Sequence, residues 1–351
     1  MRSILRKALK ILLILLGALA LLFVLVLYFM RPRTPDIKGP SGRQLSDSVA
    51  SLEKITLGGE KQWILIRGQD RSHPMLLFLH GGPGMPMMYL AHAFQRHLED
   101  SFVCVQWDQR GAGKSFRKNL PIESLTVEQI LSDAHELILQ LRSRFGQDKV
   151  YLAGHSWGSY LGMLLVQRHP ELFHAYIGIG QVVDEVRARE IAERFIRERA
   201  IENDDQEALL ELNTRGAAVH EKWLFKYGGV LFGKTGYSSF IWAGLRAPEY
   251  GFFDIPKVGK GSSFSSRHMQ YDAIRGPLME HVSEVQIPVY FIAGRHDYTT
   301  PSELVEEYLT LLKAPQKRLI WFERSAHFPF FSEPEEFARI LGDIPQRDTL
   351  R

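Results

Sequence analysis

A chain of 351 residues, 45% hydrophobic and 24% charged, is long enough for one large domain with a sizeable core and an insertion, and too apolar to be disordered. Its net charge of +3 is uneven: residues 1–40 hold seven basic groups against Asp36 alone, leaving 36 basic and 39 acidic residues beyond. The body is therefore slightly acidic and lacks the electrostatic footprint of a nucleic-acid-binding protein.

Residues 1–10 form a basic flank, and residues 11–30 run without a charge or a proline. Twenty apolar residues match the thickness of a bilayer, and Tyr28 and Phe29 stand where interfacial aromatics are expected. The reading is a single transmembrane signal anchor. A cleaved signal peptide is the rival, but its apolar region is shorter and Arg31-Pro32-Arg33 is a poor cleavage site. Four basic residues precede the span and three follow it (Arg31, Arg33, Lys38), which tips the body to the extracytoplasmic side. Residues 31–48, rich in proline and glycine, read as a linker.

From residue 49 the pattern is α/β. Strands are predicted at 54–57 and 63–67 around Gly58-Gly59, then at 75–79, 102–107, 150–153, 175–179, 288–293 and 318–322. A helix is predicted over 127–145, with others after Ser156, Pro301 and Pro334. Short apolar strands alternating with helices imply a mostly parallel sheet covered on both faces. Residues 182–280 break the alternation with a charged helical stretch at 185–199 and an aromatic, glycine-rich region at 223–264. This segment reads as a mainly helical cap inserted between core parts 49–181 and 281–351; a separate domain is the alternative. Cys104, the one cysteine, lies in an apolar run and reads as a core residue rather than a catalytic thiol.

Gly154-His155-Ser156-Trp157-Gly158 fits G-x-S-x-G between a predicted strand and a predicted helix. Small residues let the chain turn sharply there and project the hydroxyl, while the new helix aims N–H groups at developing negative charge. A serine needs a base, and the base needs an orienting acid. Asp297 and His327 each follow a predicted strand and come in the order serine, acid, histidine. The bland alternatives are a turn carboxylate and a surface histidine. Two donors for an oxyanion are expected from the N–H groups of Trp157 and Gly82, the latter in His80-Gly81-Gly82-Pro83-Gly84. Gly111-Ala112-Gly113-Lys114-Ser115 ends like a phosphate-binding loop, but Asp108 occupies the position of its first glycine. His92 and His97 lack acidic partners at ligand spacing, so neither a metal nor another cofactor is expected.

Together HGGPG at 80–84, DQRGAGKS at 108–115 and GHSWGS at 154–159 resemble the proline iminopeptidase (prolyl aminopeptidase) family of α/β-hydrolases. The resemblance covers roughly residues 50–180 and 285–345. It implies an α/β-hydrolase core with a helical cap and hydrolysis of a bond beside an N-terminal residue, often proline. By motif it implies Ser156 as nucleophile, Asp297 as acid, His327 as base, Gly82 and Trp157 as oxyanion donors, and residues 108–115 as a structural loop. His155 stands where many members have another glycine, and an anchor departs from the soluble enzymes typical of the family. Family aminopeptidases hold the substrate ammonium with cap carboxylates, and Glu249, then Glu185, are the candidates here; either reads equally well as a solvated cap residue. An esterase, lipase or thioesterase with the same groups is the second function. It would be served by Trp223, Phe225, Tyr227, Phe232, Trp242, Phe252 and Phe253 if they line an acyl pocket rather than form cap core. A non-catalytic binding protein on this fold is the third. The expected partners are a small-molecule or peptide substrate and the membrane, and oligomeric state is left open.

Overall fold

A computed structural model describes residues 2–29, 31–270 and 276–348. The first element, α1 (Arg2–Phe29), stands clear of the body, with Leu9, Ile11, Leu12, Leu13 and Ile14 all more than half exposed. The expected membrane crossing at 11–30 is not supported by this element: among the described residues no helix is long and apolar enough to cross a membrane. Met30 and the side chains of residues 26–29, including Tyr28 and Phe29, lie outside the described residues.

The body is built on an eight-stranded sheet of β1 (Val49–Leu57), β2 (Glu60–Gly68), β3 (Met75–Leu79), β4 (Val103–Asp108), β5 (Val150–His155), β6 (Phe173–Ile179), β7 (Val289–Gly294) and β8 (Lys317–Phe322). Their spatial order is β1-β2-β4-β3-β5-β6-β7-β8. The β1–β2 and β2–β4 pairs are antiparallel, and every other pair is parallel. The hairpin is longer than its apolar stretches suggest, because β1 is buried only at Val49 and Leu57, with half-buried and exposed positions between them. The inner strands β3, β4, β5 and β7 are buried at every position, as a parallel sheet covered on both faces requires.

Alternate residues feed two cores. Leu77, Val105 and Leu152 face one side and pack with α2 (Val127–Phe145) and α3 (Trp157–Arg168). Leu76, Phe78, Cys104 and Ala153 face the other, where Phe94 meets Phe78, Phe330 and Phe337. Cys104 is fully buried, and burial raises its thiol pKa well above the ordinary range. The start of α2 is set by Thr126, whose hydroxyl accepts the Gln129 N–H, and its end by Gly146 in the left-handed conformation.

Between β6 and β7 the described chain is helical: α4 (Glu185–Glu202), α5 (Gln206–Arg215), α6 (His220–Lys226), α7 (Ser238–Arg246) and α8 (Ile255–His268). The longer helices α9 (Ser302–Leu311) and α10 (Pro334–Asp348) follow β7 and β8. Parallel strands with helical returns put the carboxyl ends of β3, β5, β6, β7 and β8 on one edge, and the helices after β6 lie over it.

The loop after β4 is locked from below. Arg110 donates Nε–H to Asp133 Oδ2 (2.9 Å) and Nη2–H to Asp133 Oδ1 (2.9 Å), and Gln62 and Gln129 complete the carboxylate's partners. Both charged side chains are essentially inaccessible, at 2% and 0% exposure. Removing one partner strands a buried charge, so Asp133→Ala should cost about 3–5 kcal/mol. Urea unfolding should show this as a lower midpoint with little change in slope; a loss below 1 kcal/mol, on the scale of a surface pair, would contradict it.

Candidate active site

Ser156 sits between β5 and α3 with φ 52° and ψ −123°, a conformation costly for a residue with a Cβ. Its N–H donates to the Ile179 carbonyl (3.0 Å), and its own carbonyl accepts the Ser159 hydroxyl (2.6 Å). The turn is possible because neighbouring residues are small: a Cβ on Gly158 would lie 2.1 Å from the Leu79 carbonyl oxygen. That contact brings the end of β3, and with it Gly81 and Gly82, beside Ser156.

His327 follows β8, and Asp297 follows β7. His327 Nδ1–H donates to Asp297 Oδ2 at 2.9 Å, with both side chains buried. The other carboxylate oxygen accepts the N–H groups of Thr299 (2.8 Å) and Thr300 (2.9 Å), and the Thr300 hydroxyl donates to Oδ2 (2.8 Å). With four such donors the acid has little freedom to rotate away from the imidazole. Gly180, which sequence reasoning passed over, allows the close approach: its φ is +52°, and a Cβ there would lie 2.9 Å from His327 Nδ1.

Two further histidines are buried around this group. His155 Nε2–H donates to the His327 carbonyl (2.8 Å), and its ring lies 4.6 Å from the His327 ring. Burial, then the neighbouring His327, push its pKa well below the ordinary value. His80 Nε2 accepts the Gln109 N–H (3.1 Å) and Nδ1–H donates to the Gly81 carbonyl (2.9 Å), so it is neutral and tautomerically fixed. Burial lowers its pKa to about 4.

These loops open on a cavity of about 480 Å³. Gly81, Gly82, Ser156, Trp157 and His327 line its floor, while Leu224, Phe225, Tyr237, Phe240 and Phe328 form an apolar wall. Asp184, Glu185 and Glu221 give it an acidic side, with Arg189 among them. Among the described residues no group of His, Cys, Asp or Glu is arranged to hold a metal ion.

The α/β-hydrolase fold family matches residues 74–334. The chain belongs to the α/β-hydrolase fold family. It is 34% identical over 307 residues to a probable aminopeptidase, YbaC, of Bacillus subtilis, covering 84% of this chain and 96% of that one. It is 26% identical over 276 residues to a proline iminopeptidase of Heyndrickxia coagulans, covering 77% and 89%. Among solved structures, the proline iminopeptidase of Mycobacterium smegmatis superposes with a TM-score of 0.63 at 19% identity, over 86% of this chain and 99% of that one. The protein is thus a hydrolase related to aminopeptidases and proline iminopeptidases.

Within this hydrolase the two cap carboxylates singled out from sequence part company. Glu185, in the first turn of α4, lines the cavity and pairs with Arg189 (3.0 Å). Glu249 does not line it. Glu249 is 2% exposed, accepts the Thr34 hydroxyl (3.2 Å), and has its pKa raised by burial. The aromatic run divides too. Phe225 reaches the cavity, whereas Trp223 packs inside the cap with its Nε1–H on Glu211 (3.0 Å), and Trp242, Phe252 and Phe253 point outward. The wall residues Tyr237 and Phe240 went unremarked in the sequence; Tyr237 is the N-cap of α7 and Phe240 lies in its first turn. Asp184 was also missed; it accepts the N–H groups of Val186 and Arg187 as the N-cap of α4.

Residues 108–115 tie cap to core. Asp108 is buried and accepts the Lys114 N–H (2.8 Å) and the Tyr250 hydroxyl; burial raises its pKa to about 7. Lys114 in turn pairs with Asp254 of the cap (2.6 Å).

A pH dependence of stability follows from His80. The unfolded chain protonates this group below about pH 6.5, whereas the folded protein does so only near about 4. The unfolded state therefore binds more protons in that window, and stability is lost as pH falls from 6.5 to 4. Urea midpoints measured across that range should fall less steeply for His80→Gln than for the wild type; equal slopes would remove His80 from the effect.

Proposed function

We propose that this hydrolase is an aminopeptidase of proline iminopeptidase type that works through an acyl-enzyme on Ser156. The reading rests on one observation above the others. A serine held in a strained strand-to-helix turn shares a cavity with a histidine whose far nitrogen is bonded to a buried, fully partnered aspartate. In the reaction, Ser156 Oγ attacks the carbonyl carbon of the scissile bond and its proton passes to His327 Nε2. Asp297 holds the imidazole in the tautomer that leaves Nε2 as acceptor and stabilises the imidazolium that forms. The N–H groups of Gly82 and Trp157 receive the oxyanion, the latter aided by the N-terminus of α3. His327 then protonates the leaving amine, the C–N bond breaks, and water activated by the same histidine releases the acid from Ser156.

The choice of an amine-bearing substrate is supported by the acidic side of the cavity. Glu185 and Glu221 line it, and the Tyr237 hydroxyl donates to Glu221. Carboxylates beside an apolar wall suit a substrate with one ammonium and one hydrocarbon side. An esterase remains the second reading, favoured by the breadth of that wall.

Ser156→Ala should lower turnover of alanine and proline anilides by about 10⁴- to 10⁶-fold, the scale on which single members of such constellations act. Hydrolysis of the free-amine anilides that disappears on N-acetylation supports the aminopeptidase. Ester turnover without anilide cleavage would transfer the proposal to the esterase, and an unimpaired Ser156→Ala enzyme would remove Ser156 as nucleophile.

We further propose that α1 holds the enzyme to a membrane with its body on the extracytoplasmic side. Residues 11–16 are six in succession with more than half of each side chain exposed, so apolar surface covers the whole circumference of the helix. Such a surface is stable in lipid and not in water, and basic residues flank it at both ends. Carbonate washing should leave the full chain in the membrane pellet and release a variant lacking residues 1–30, with kcat/KM on small anilides unchanged. Extraction of the full chain by carbonate would exclude the anchor.

A further inference from the structure

The helix α7 carries apolar residues on two sides. Inward, Phe240 lines the cavity and packs on Phe328 and Phe331, with ring centroids 4.8 and 5.0 Å apart. Outward, Ile241, Trp242 and Leu245 are 59%, 60% and 59% exposed. Beyond Ala247 the chain turns and presents Phe252 and Phe253, at 67% and 66%. The two segments are neighbours in space, since a Cβ on Gly244 of α7 would lie 3.6 Å from Ile255 Cδ1 at the start of α8. Other exposed large apolar residues of the body, such as Ile122, Leu139 and Val186, are dispersed, which is ordinary for a soluble surface. A cluster with a tryptophan and two phenylalanines is not.

The linker from α1 docks beside this cluster. Arg33 N–H donates to the Pro248 carbonyl (2.8 Å), and the Thr34 hydroxyl donates to Glu249 (3.2 Å). Arg67, paired with Glu99 (2.7 Å), also donates to the Thr34 hydroxyl and the Pro35 carbonyl. Arg33 stands four residues after Phe29, the end of α1. Four residues reach at most about 14 Å, so α1 must leave the body next to Pro248, between α7 and Phe252. The charges around the cluster agree with this placement. From 241 to 260 the acids Glu249 and Asp254 are buried, while Arg246 and Lys260 are exposed.

We propose that the outer face of α7, with Phe252 and Phe253, lies in the interface of the bilayer, so that a wall of the cavity is held at the lipid surface. This rests on the anchoring reading and adds to it a defined face. Aromatic and aliphatic side chains enter the boundary between headgroups and acyl chains, and the flanking Arg246 and Lys260 meet anionic headgroups.

The test uses the full chain in vesicles of phosphatidylcholine and phosphatidylglycerol. Phe253→Cys carries an environment-sensitive fluorophore, and Gln286→Cys, exposed before β7 at the opposite edge of the sheet, serves as control. Cys104 is fully buried, which directs labelling to the introduced thiol. The expected result is blue-shifted emission at 253 and quenching by spin-labelled lipids several-fold stronger than at 286. Equal quenching at the two positions, in vesicles whose protein still resists carbonate extraction, overturns the docked face and leaves the anchor standing. Release of the protein by carbonate overturns both.

Discussion

The first turn of α3 presses against the last carbonyls of β3, and the site depends on that contact. With no side chain at Gly158, the backbone there closes on Leu79 and His80 to a distance that a Cβ would block. Closure does three things at once. It fixes Ser156 in its strained turn, places Gly81 and Gly82 beside the serine, and points the amino end of α3 at the space between them. The cost of the strained residue, about 1–3 kcal/mol, is offset by the packing of β5 between β3 and β6, which are buried at every position except His174.

Buried polar groups carry this geometry outward. His80 joins the loop after β3 to the loop after β4 through the Gln109 N–H, and Arg110 in that second loop is anchored on Asp133 of α2. Asp108 and Lys114 reach from the same loop to Tyr250 and Asp254 of the cap. On the far side, the carbonyls of Gly229 and Val230 accept the N–H groups of Tyr298 and His327. The cap is therefore bonded to the loop that carries His327 and to the loop that follows Asp297. These links join buried or nearly buried groups, the setting in which hydrogen-bonded polar groups hold position most firmly.

The sequence made the core legible because its signals are local. The apolar run of 75–79 and the helical spacing of 127–145 coincide with β3 and α2 residue for residue. The start of β1 is not legible because residues 50–53 are only partly buried and mix polar with apolar side chains. The neighbourhood of Ser156, Asp297 and His327 could be anticipated since each follows a strand, and a parallel sheet sends those ends to one edge. The cap could not be read in the same way. Its helices face the cavity, the core or the outside, and composition does not distinguish these directions. Glu249 illustrates the difficulty: an acid beside aromatic residues suggested a substrate contact, and the fold turned it toward Thr34 instead. Gly180 matters only through its proximity to His327, a contact between residues far apart in the chain.

The cavity's chemistry follows from how α4, α6 and α7 cross above the sheet edge. Asp184 has to accept two backbone N–H groups to begin α4, which places Glu185 in the next position at the rim. Glu221, one residue into α6, also lines the cavity and accepts the Tyr237 hydroxyl. Phe225, one turn further along α6, and Phe240 of α7 then close the wall. The helix α6 thus supplies both acid and hydrocarbon, one helical turn apart. The space beside Ser156 therefore presents both within a cavity of about 480 Å³.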